Sequence, residues 1–138
     1  MKTKVTENFT LEELCHSNTA VAKGLGNIPN ESQVENLKSL AINLLQPVRD
    51  LYGKPMIINS GFRSPEVNKA VNGSPTSDHM NGKAADVRTP SPRELFNLVR
   101  NSGLSFDQLI LYPTFVHMSF RSKDANRNQV LYAKGVQP

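Results

Sequence analysis

The chain has 138 residues, of which 38% are hydrophobic, and a formal net charge of +4. A chain of this length can bury one core without disulfides or repeats, so we predict a single domain over residues 1–138. The positive charge favours anionic surfaces, but the basic residues are scattered, which argues against nucleic-acid binding. The sequence contains no run of about 18 apolar residues, so we predict no membrane segment. The N-terminal residues lack the apolar part of a signal peptide.

The first half of the chain predicts two helices. Thr10 to Glu13 form a capping box that begins a short helix, and Cys15 within it is predicted to be a buried thiol that has no partner for an internal disulfide. Ser32 to Glu35 form a second capping box, and the helix that follows continues to Gly53. Pro47 is predicted to kink or divide this helix. Its inward positions, at helical spacing, are Val34, Leu37, Leu40, Leu44, Val48 and Leu51.

The second half alternates short strands with helices. We predict a buried strand at 56–60, a helix from Ser64 to Gly73, a strand at 84–88, and a helix whose capping box is Ser91 to Glu94. The last helix directs Leu95, Leu98 and Val99 inward and stops at Gly103. Strands at 106–112 and 115–120 flank a tight turn, and 129–133 forms an edge strand. The predicted fold is α+β, with a small antiparallel sheet packed against three to four helices.

A candidate metal site lies in the stretch "SPTSDHMNGKAADV", residues 74–87. Asn81-Gly82 is a strong hairpin signal, because a type I′ turn needs positive φ at both positions. A hairpin closed there would place His79 and Asp86 as diagonal neighbours on one face, roughly 7 to 8 Å apart at the backbone, where a metal ion can bridge them. Ala84 would leave the space between them empty.

His117 is the predicted third ligand. It lies in an apolar strand, where an unpaired imidazole is costly to bury, although a hydrogen-bonded core histidine is the alternative. Two histidines, one carboxylate and an open position are typical of catalytic zinc, whereas structural zinc sites are closed by four protein ligands. His16, at a polar helix end, is predicted to be a solvated surface residue.

The residues Ser77-x-His79-x-x-Gly82-x-Ala84-x-Asp86 carry a family resemblance. They match the S-x-H-x-x-G-x-A-x-D signature of the zinc D-Ala-D-Ala carboxypeptidase family, metallopeptidase family fifteen, and the chain also resembles the phage cell-wall peptidases within it. The resemblance extends over "INSGFRSPEVNKAVNG", "FDQLI" and "VHMSF", and so covers nearly the whole chain.

The resemblance implies roles for individual residues. His79, Asp86 and His117 would bind Zn²⁺, and Arg63 in "SGFRS" would hold a carboxylate or carbonyl of the substrate. We expect Arg63 to be an exposed loop residue whose removal leaves folding and metal content nearly intact; a plain surface arginine is the alternative. Ser77 would support the ligands or contact substrate, and Asp78 is predicted to be exposed.

The general base is left unassigned by the sequence. Related enzymes carry an acidic residue three positions before the last zinc histidine, where this chain has Thr114, which cannot accept the proton. In the predicted hairpin Tyr112, Ile110 and Gln108 share the face of His117, while Asp107 points away. Tyr112 is therefore a candidate for stabilising an oxyanion. Three alternatives remain. The base comes from elsewhere in the chain, or the register is shifted by one residue so that Asp107 is the base, or activity is low.

The resemblance implies a zinc peptidase that cleaves peptidoglycan stem peptides, as a carboxypeptidase or an endopeptidase. We expect the protein to be a monomer. Its expected partners include neither nucleic acid nor membrane. We expect the protein to be made in the cytoplasm and to act on the cell wall after release, as a phage lysin does. The alternative is a chain whose signal peptide has been removed. The alternative function is a zinc-containing module that binds the wall without catalysis.

Overall fold

One five-stranded sheet organises residues 3–138, the part of the chain that the computed structural model describes. Its strands are β3 (Ile57–Ser60), β4 (Ala84–Arg88), β5 (Gln108–Leu111), β6 (Val116–Ser119) and β7 (Gln129–Tyr132). They lie in the order β3-β4-β6-β5-β7, and a separate ribbon joins β1 (Lys4–Thr6) to β2 (Phe9–Thr10). Neighbours in the large sheet are antiparallel except β5 and β7, which run parallel. The α+β class is thus confirmed. The predicted antiparallel pairing is wrong only for β7, which runs parallel to β5.

The described residues form more helices than the predicted three to four, because several of the helices are short. Within the described residues the helices are α1 (Leu11–Cys15), α2 (Asn18–Lys23), α3 (Glu31–Leu40), α4 (Gln46–Tyr52), α5 (Pro65–Ala70) and α6 (Pro92–Asn101). The capping box of α1 forms as predicted, with Thr10 and Glu13 exchanging hydrogen bonds. Cys15 at its end is only half-buried, which corrects the prediction of a buried thiol.

The long second helix is interrupted near Pro47, as predicted. A π-helical turn at Ala41–Leu45 separates α3 from α4, and Pro47 lies in the first turn of α4, where it has no amide hydrogen to donate. Because a π turn contains an extra residue, the apolar stripe rotates after it. Tyr52 is therefore buried, while Leu51, predicted to face inward, is 57% exposed.

Two other predicted helix starts need correction. The cap of α3 is Asn30, which exchanges hydrogen bonds with Gln33, so the box predicted at Ser32 lies two residues too late. Ser91 precedes α6 and Pro92 occupies the first turn as predicted, but the Ser91 side chain makes no capping hydrogen bond.

The core lies between the sheet and the helices. Buried side chains of α3, α4 and α6 pack against those of β4, β5 and β6. β3 forms where a strand was predicted at 56–60, but it is an edge strand whose residues are half-buried or exposed, so only the predicted burial is wrong. Along residues 3–138, none of the helices has the length and apolar character needed to cross a membrane.

Candidate metal centre and cleft

His79 comes from a 3₁₀ turn, so the predicted hairpin at Asn81-Gly82 is wrong. The turn covers Asp78–Asn81, and the Ser77 hydroxyl caps it by accepting the His79 backbone amide at 3.2 Å. Gly82 closes the turn in the left-handed region, at φ +73°. A Cβ at Gly82 would also lie 2.6 Å from the Gln33 carbonyl oxygen on α3, so the turn and α3 can pack this closely only around glycine.

Asp86 and His117 lie opposite each other on β4 and β6. In this register the Oδ1 atom of Asp86 is 2.9 Å from Nδ1 of His117. The same oxygen is 3.3 Å from Nε2 of His79, which reaches over from the turn. Asp86 is therefore at the centre of the three side chains that the sequence singles out as metal ligands.

The spacing of these donor atoms fits a zinc ion. The three side chains each offer a ligand atom, and the atoms lie within 4.8 Å of one another. Tetrahedral zinc with bonds of about 2.0 to 2.1 Å needs ligand atoms about 3.3 Å apart, close to the two separations found here. Nδ1 of His79 donates to the Gly61 carbonyl at 2.8 Å, which directs Nε2 toward the site, as is usual for histidine ligands. The residues present thus fit the metal.

Arg63 supports the site from the other side of Asp86. Its Nη2 lies 3.2 Å from Asp86 Oδ2, while Nε donates to Ser60 and Nη1 to Asn68. The side chain is 14% exposed, which corrects the expectation of an exposed loop arginine. Burial lowers the Arg63 pKa, and the charge of Asp86 opposes that shift. Because three of its five N–H groups are engaged, two remain for a carbonyl or carboxylate.

The pKa of Asp86 is well below its ordinary value. Burial acts to raise this pKa, but hydrogen bonds from His117 and His79, together with their charge, outweigh burial. The carboxylate is consequently ionised, which is the form that binds a cation.

A cleft of about 660 Å³ opens above the three ligands. Tyr112 and Phe115 form one wall, with rings stacked at 4.4 Å between centroids. The predicted register of this hairpin is confirmed, because Ile110 pairs with His117 and the Tyr112 amide donates to the Phe115 carbonyl at 3.0 Å. Burial, followed by the charge of Asp86, raises the pKa of the Tyr112 phenol, which therefore stays protonated near neutral pH.

Of the acidic residues near the cleft, Asp107 lies where the sequence predicted and Asp78 does not. Asp78, predicted to be exposed, has a side chain only 12% exposed and receives hydrogen bonds from Arg121. Asp107 points away from the cleft as predicted and is fully buried, where Nε and Nη2 of Arg127 bind it at 2.9 and 2.8 Å. In the described chain, Asp78 and Asp86 are the carboxylates that line the cleft.

Arg121 and Arg127 line the cleft but were not found by sequence reasoning. Both follow the last predicted site strand, in a polar segment without a motif. Their pairing with acidic residues 43 and 20 positions away has no local sequence signal.

Other candidate residues lie as follows. Ser77 lines the cleft next to His79, so its hydroxyl positions the ligand turn and remains near any bound substrate. Thr114, in the place of the family's acid, is exposed in the β5–β6 turn. His16 is exposed, as predicted, and contacts Asn18.

Comparison with known families agrees with this geometry. A family model described as Peptidase M15 matches residues 7–119, which include all three candidate ligands and Arg63. The chain belongs to the Peptidase M15 family. Members of this family are zinc peptidases, so membership implies a zinc-dependent peptidase acting on a peptide substrate. A search among curated proteins found no significant match.

Proposed function

We propose that the chain is a zinc peptidase that hydrolyses a peptide bond in the stem peptides of bacterial peptidoglycan. The observation that carries the proposal is the convergence of His79, Asp86 and His117 beneath a cleft that also presents Arg63. The signature resemblance supports the peptidoglycan stem as substrate, and the net charge of +4 is compatible with an anionic wall.

His79, Asp86 and His117 would hold Zn²⁺ in the cleft that they line. Zinc in such a site polarises a carbonyl and lowers the pKa of water to about 7. The protein's contribution is to fix the ligands before substrate arrives. Gly61 holds the His79 ring, and the β4–β6 register fixes His117 against Asp86.

Arg63 and Tyr112 are placed to handle the substrate. The two remaining N–H groups of Arg63 can bind a carbonyl or carboxylate while the guanidinium keeps its contact with Asp86. Tyr112, on the face of His117, has a protonated phenol that can donate to a developing oxyanion. A protonated phenol is a donor and not a base, so the role proposed for Tyr112 is electrostatic.

The deciding experiment is incubation of the zinc-loaded protein with purified peptidoglycan, followed by mass analysis of the released fragments. We expect fragments whose masses identify the cleaved bond, and so distinguish carboxypeptidase from endopeptidase action. The matched control is His117→Ala, which removes one ligand and should release none. Equal release by both proteins would refute the proposal.

A second candidate function is binding to the wall without catalysis. It is favoured by Thr114, which stands exposed where related enzymes have an acid, and by the ion pair that already engages Asp78. The same experiment separates the two functions, because a binding module would sediment with peptidoglycan and release no fragments.

The place of action is part of the proposal. As for a phage lysin, the protein would be made in the cytoplasm and reach the wall on release, or it would derive from a chain whose signal peptide has been removed. Its expected working form is the monomer, which sedimentation at assay concentrations would test.

A further inference from the structure

We propose that Arg121 and Arg127 form a carboxylate-binding subsite at one end of the cleft, which selects stem peptides with a free carboxylate near the cleaved bond. This inference rests on the proposed function and names its substrate more closely. Both arginines line the cleft and lie beyond residues 7–119, the segment that the Peptidase M15 family model matches.

Strand register places the subsite relative to the metal centre. Ile110 on β5 pairs with His117, and Gln108, two residues earlier, directly follows Asp107, the carboxylate that both arginines contact. Two residues of a strand span about 7 Å. An extended peptide advances up to about 3.3 to 3.6 Å per residue. A carboxylate bound there would therefore lie about two residues from the bond at the metal centre.

The opposite end of the cleft has different chemistry. There the stacked rings of Tyr112 and Phe115 form an aromatic wall. The two ends thus offer unlike surfaces, aromatic on one side of His117 and guanidinium on the other. A peptide lying across the site would be oriented by this difference.

Neutralisation of Asp107 does not account for both arginines. Arg127 alone binds both carboxylate oxygens of Asp107 through Nε and Nη2, and its backbone amide adds a third hydrogen bond at 3.2 Å. Arg121 Nε lies 3.3 Å from an oxygen that is thereby already satisfied, and its closer partner is Asp78. A second guanidinium at this position is more than the buried carboxylate requires.

Both guanidinium groups keep donors for a ligand. Each uses Nε and Nη2 on aspartate, and the described chain supplies no hydrogen-bond partner to either Nη1. The side chains are 36% and 46% exposed, so these donors are accessible. The aspartates hold the planar groups in place, which reduces the ordering cost of binding a carboxylate. The subsite is thus a pair of positioned arginines whose outer edges are open.

The test uses two synthetic stem peptides that differ in one group, a free carboxylate about two residues from the bond that the fragment analysis identifies in one, and its carboxamide in the other. The carboxamide keeps the size and removes the charge. We expect the zinc-loaded protein to cleave the acid with a kcat/KM about tenfold or more above that for the amide, the size of effect typical of hydrogen bonds to charged groups. Dissociation constants for both peptides, measured with the same protein, provide a readout independent of turnover.

Arg121→Gln is the informative variant, because Arg127 still compensates the negative charge of Asp107 when Arg121 is changed. We expect its acid-to-amide preference to fall to about threefold or less, with zinc content and circular dichroism as checks on folding. Arg121→Lys should restore part of the preference. The matched control is Arg100→Gln, which removes an arginine outside the cleft lining that contacts the Tyr132 hydroxyl, and it should keep the full preference.

The outcomes separate this inference from the proposed function. Equal cleavage of the two peptides, or an unchanged preference in Arg121→Gln, overturns the subsite and leaves the peptidase intact. Preferential binding of the acid without cleavage supports the subsite and refutes hydrolysis of stem peptides. Failure to bind or cleave either peptide overturns both.

Discussion

Gly82→Ala tests how the fold holds His79, and its cost has two parts. The residue has φ +73°, and moving alanine into the left-handed region costs about 1 to 2 kcal/mol. In addition, the new methyl group would lie 2.6 Å from the Gln33 carbonyl oxygen, and that oxygen belongs to the backbone of α3 and cannot rotate away. Overpacking of this kind costs about 1 to 3 kcal/mol. We therefore expect a total loss of about 2 to 5 kcal/mol.

The chain supplies a matched control in Gly53. It ends α4 in the same left-handed region, at φ +69°, but no atom lies within 4 Å of a Cβ placed there. Gly53→Ala should therefore cost only the backbone part, about 1 to 2 kcal/mol. The difference between the two variants measures the contact between the ligand turn and α3.

The assay is urea unfolding of both variants with a chelator present, so that metal binding does not mask the change. Zinc affinity is then measured by competition. We expect Gly82→Ala to bind zinc more weakly, because the shift that relieves the contact moves the turn that carries His79, while Gly53→Ala keeps its affinity. Equal stabilities and equal zinc affinities would refute the reasoning.

Further predictions concern the ligands, the phenol and the buried ion pair. Metal analysis should find a single zinc equivalent in the parent protein and none in His79→Ala, and a full equivalent in the variant would exclude His79 as a ligand. Arg63→Ala should weaken zinc binding as well as turnover, because Asp86 loses the 3.2 Å hydrogen bond that orients its carboxylate; unchanged zinc affinity would limit Arg63 to substrate binding. Tyr112→Phe should lower turnover without loss of zinc, and unaltered turnover would remove the phenol from the mechanism. Hydrogen bonds from Arg127 lower the Asp107 pKa, so the ionised carboxylate stabilises the folded protein. The difference in unfolding free energy between the parent and Asp107→Asn should therefore be constant above about pH 5 and shrink as the pH falls below about 4. A difference independent of pH would contradict this assignment.

The sequence predicted the β5–β6 face correctly because alternation along a strand determines it. Once the Pro113-Thr114 turn is located, Tyr112 and Ile110 must share the face of His117, and the observed pairing follows. No tertiary information is needed for that step. The same alternation correctly directed Asp107 away from the cleft.

The hairpin error has a physical cause in the turn around Gly82. A type I′ turn and the end of a 3₁₀ turn both use glycine at positive φ, so the local signal is the same. Contacts with α3 favour the 3₁₀ turn: Gln33 donates to the Met80 carbonyl at 3.0 Å and Asn36 to the Asn81 carbonyl at 2.8 Å. Those partners are more than 40 residues away in the chain, and a local motif does not contain them.

The charges of the cleft follow from pairs of residues that are distant in sequence. Each aspartate in the cleft lining or beneath it is matched by an arginine, so these protein charges cancel before a metal binds. The pairs are Asp86 with Arg63, Asp78 with Arg121, and Asp107 with Arg127. A bound zinc ion would therefore leave a net positive cleft, which favours an anionic peptide at the moment when the site becomes competent. Binding of a carboxylate-bearing stem peptide should accordingly strengthen with zinc and weaken with added salt, whereas an uncharged peptide should show little dependence on salt.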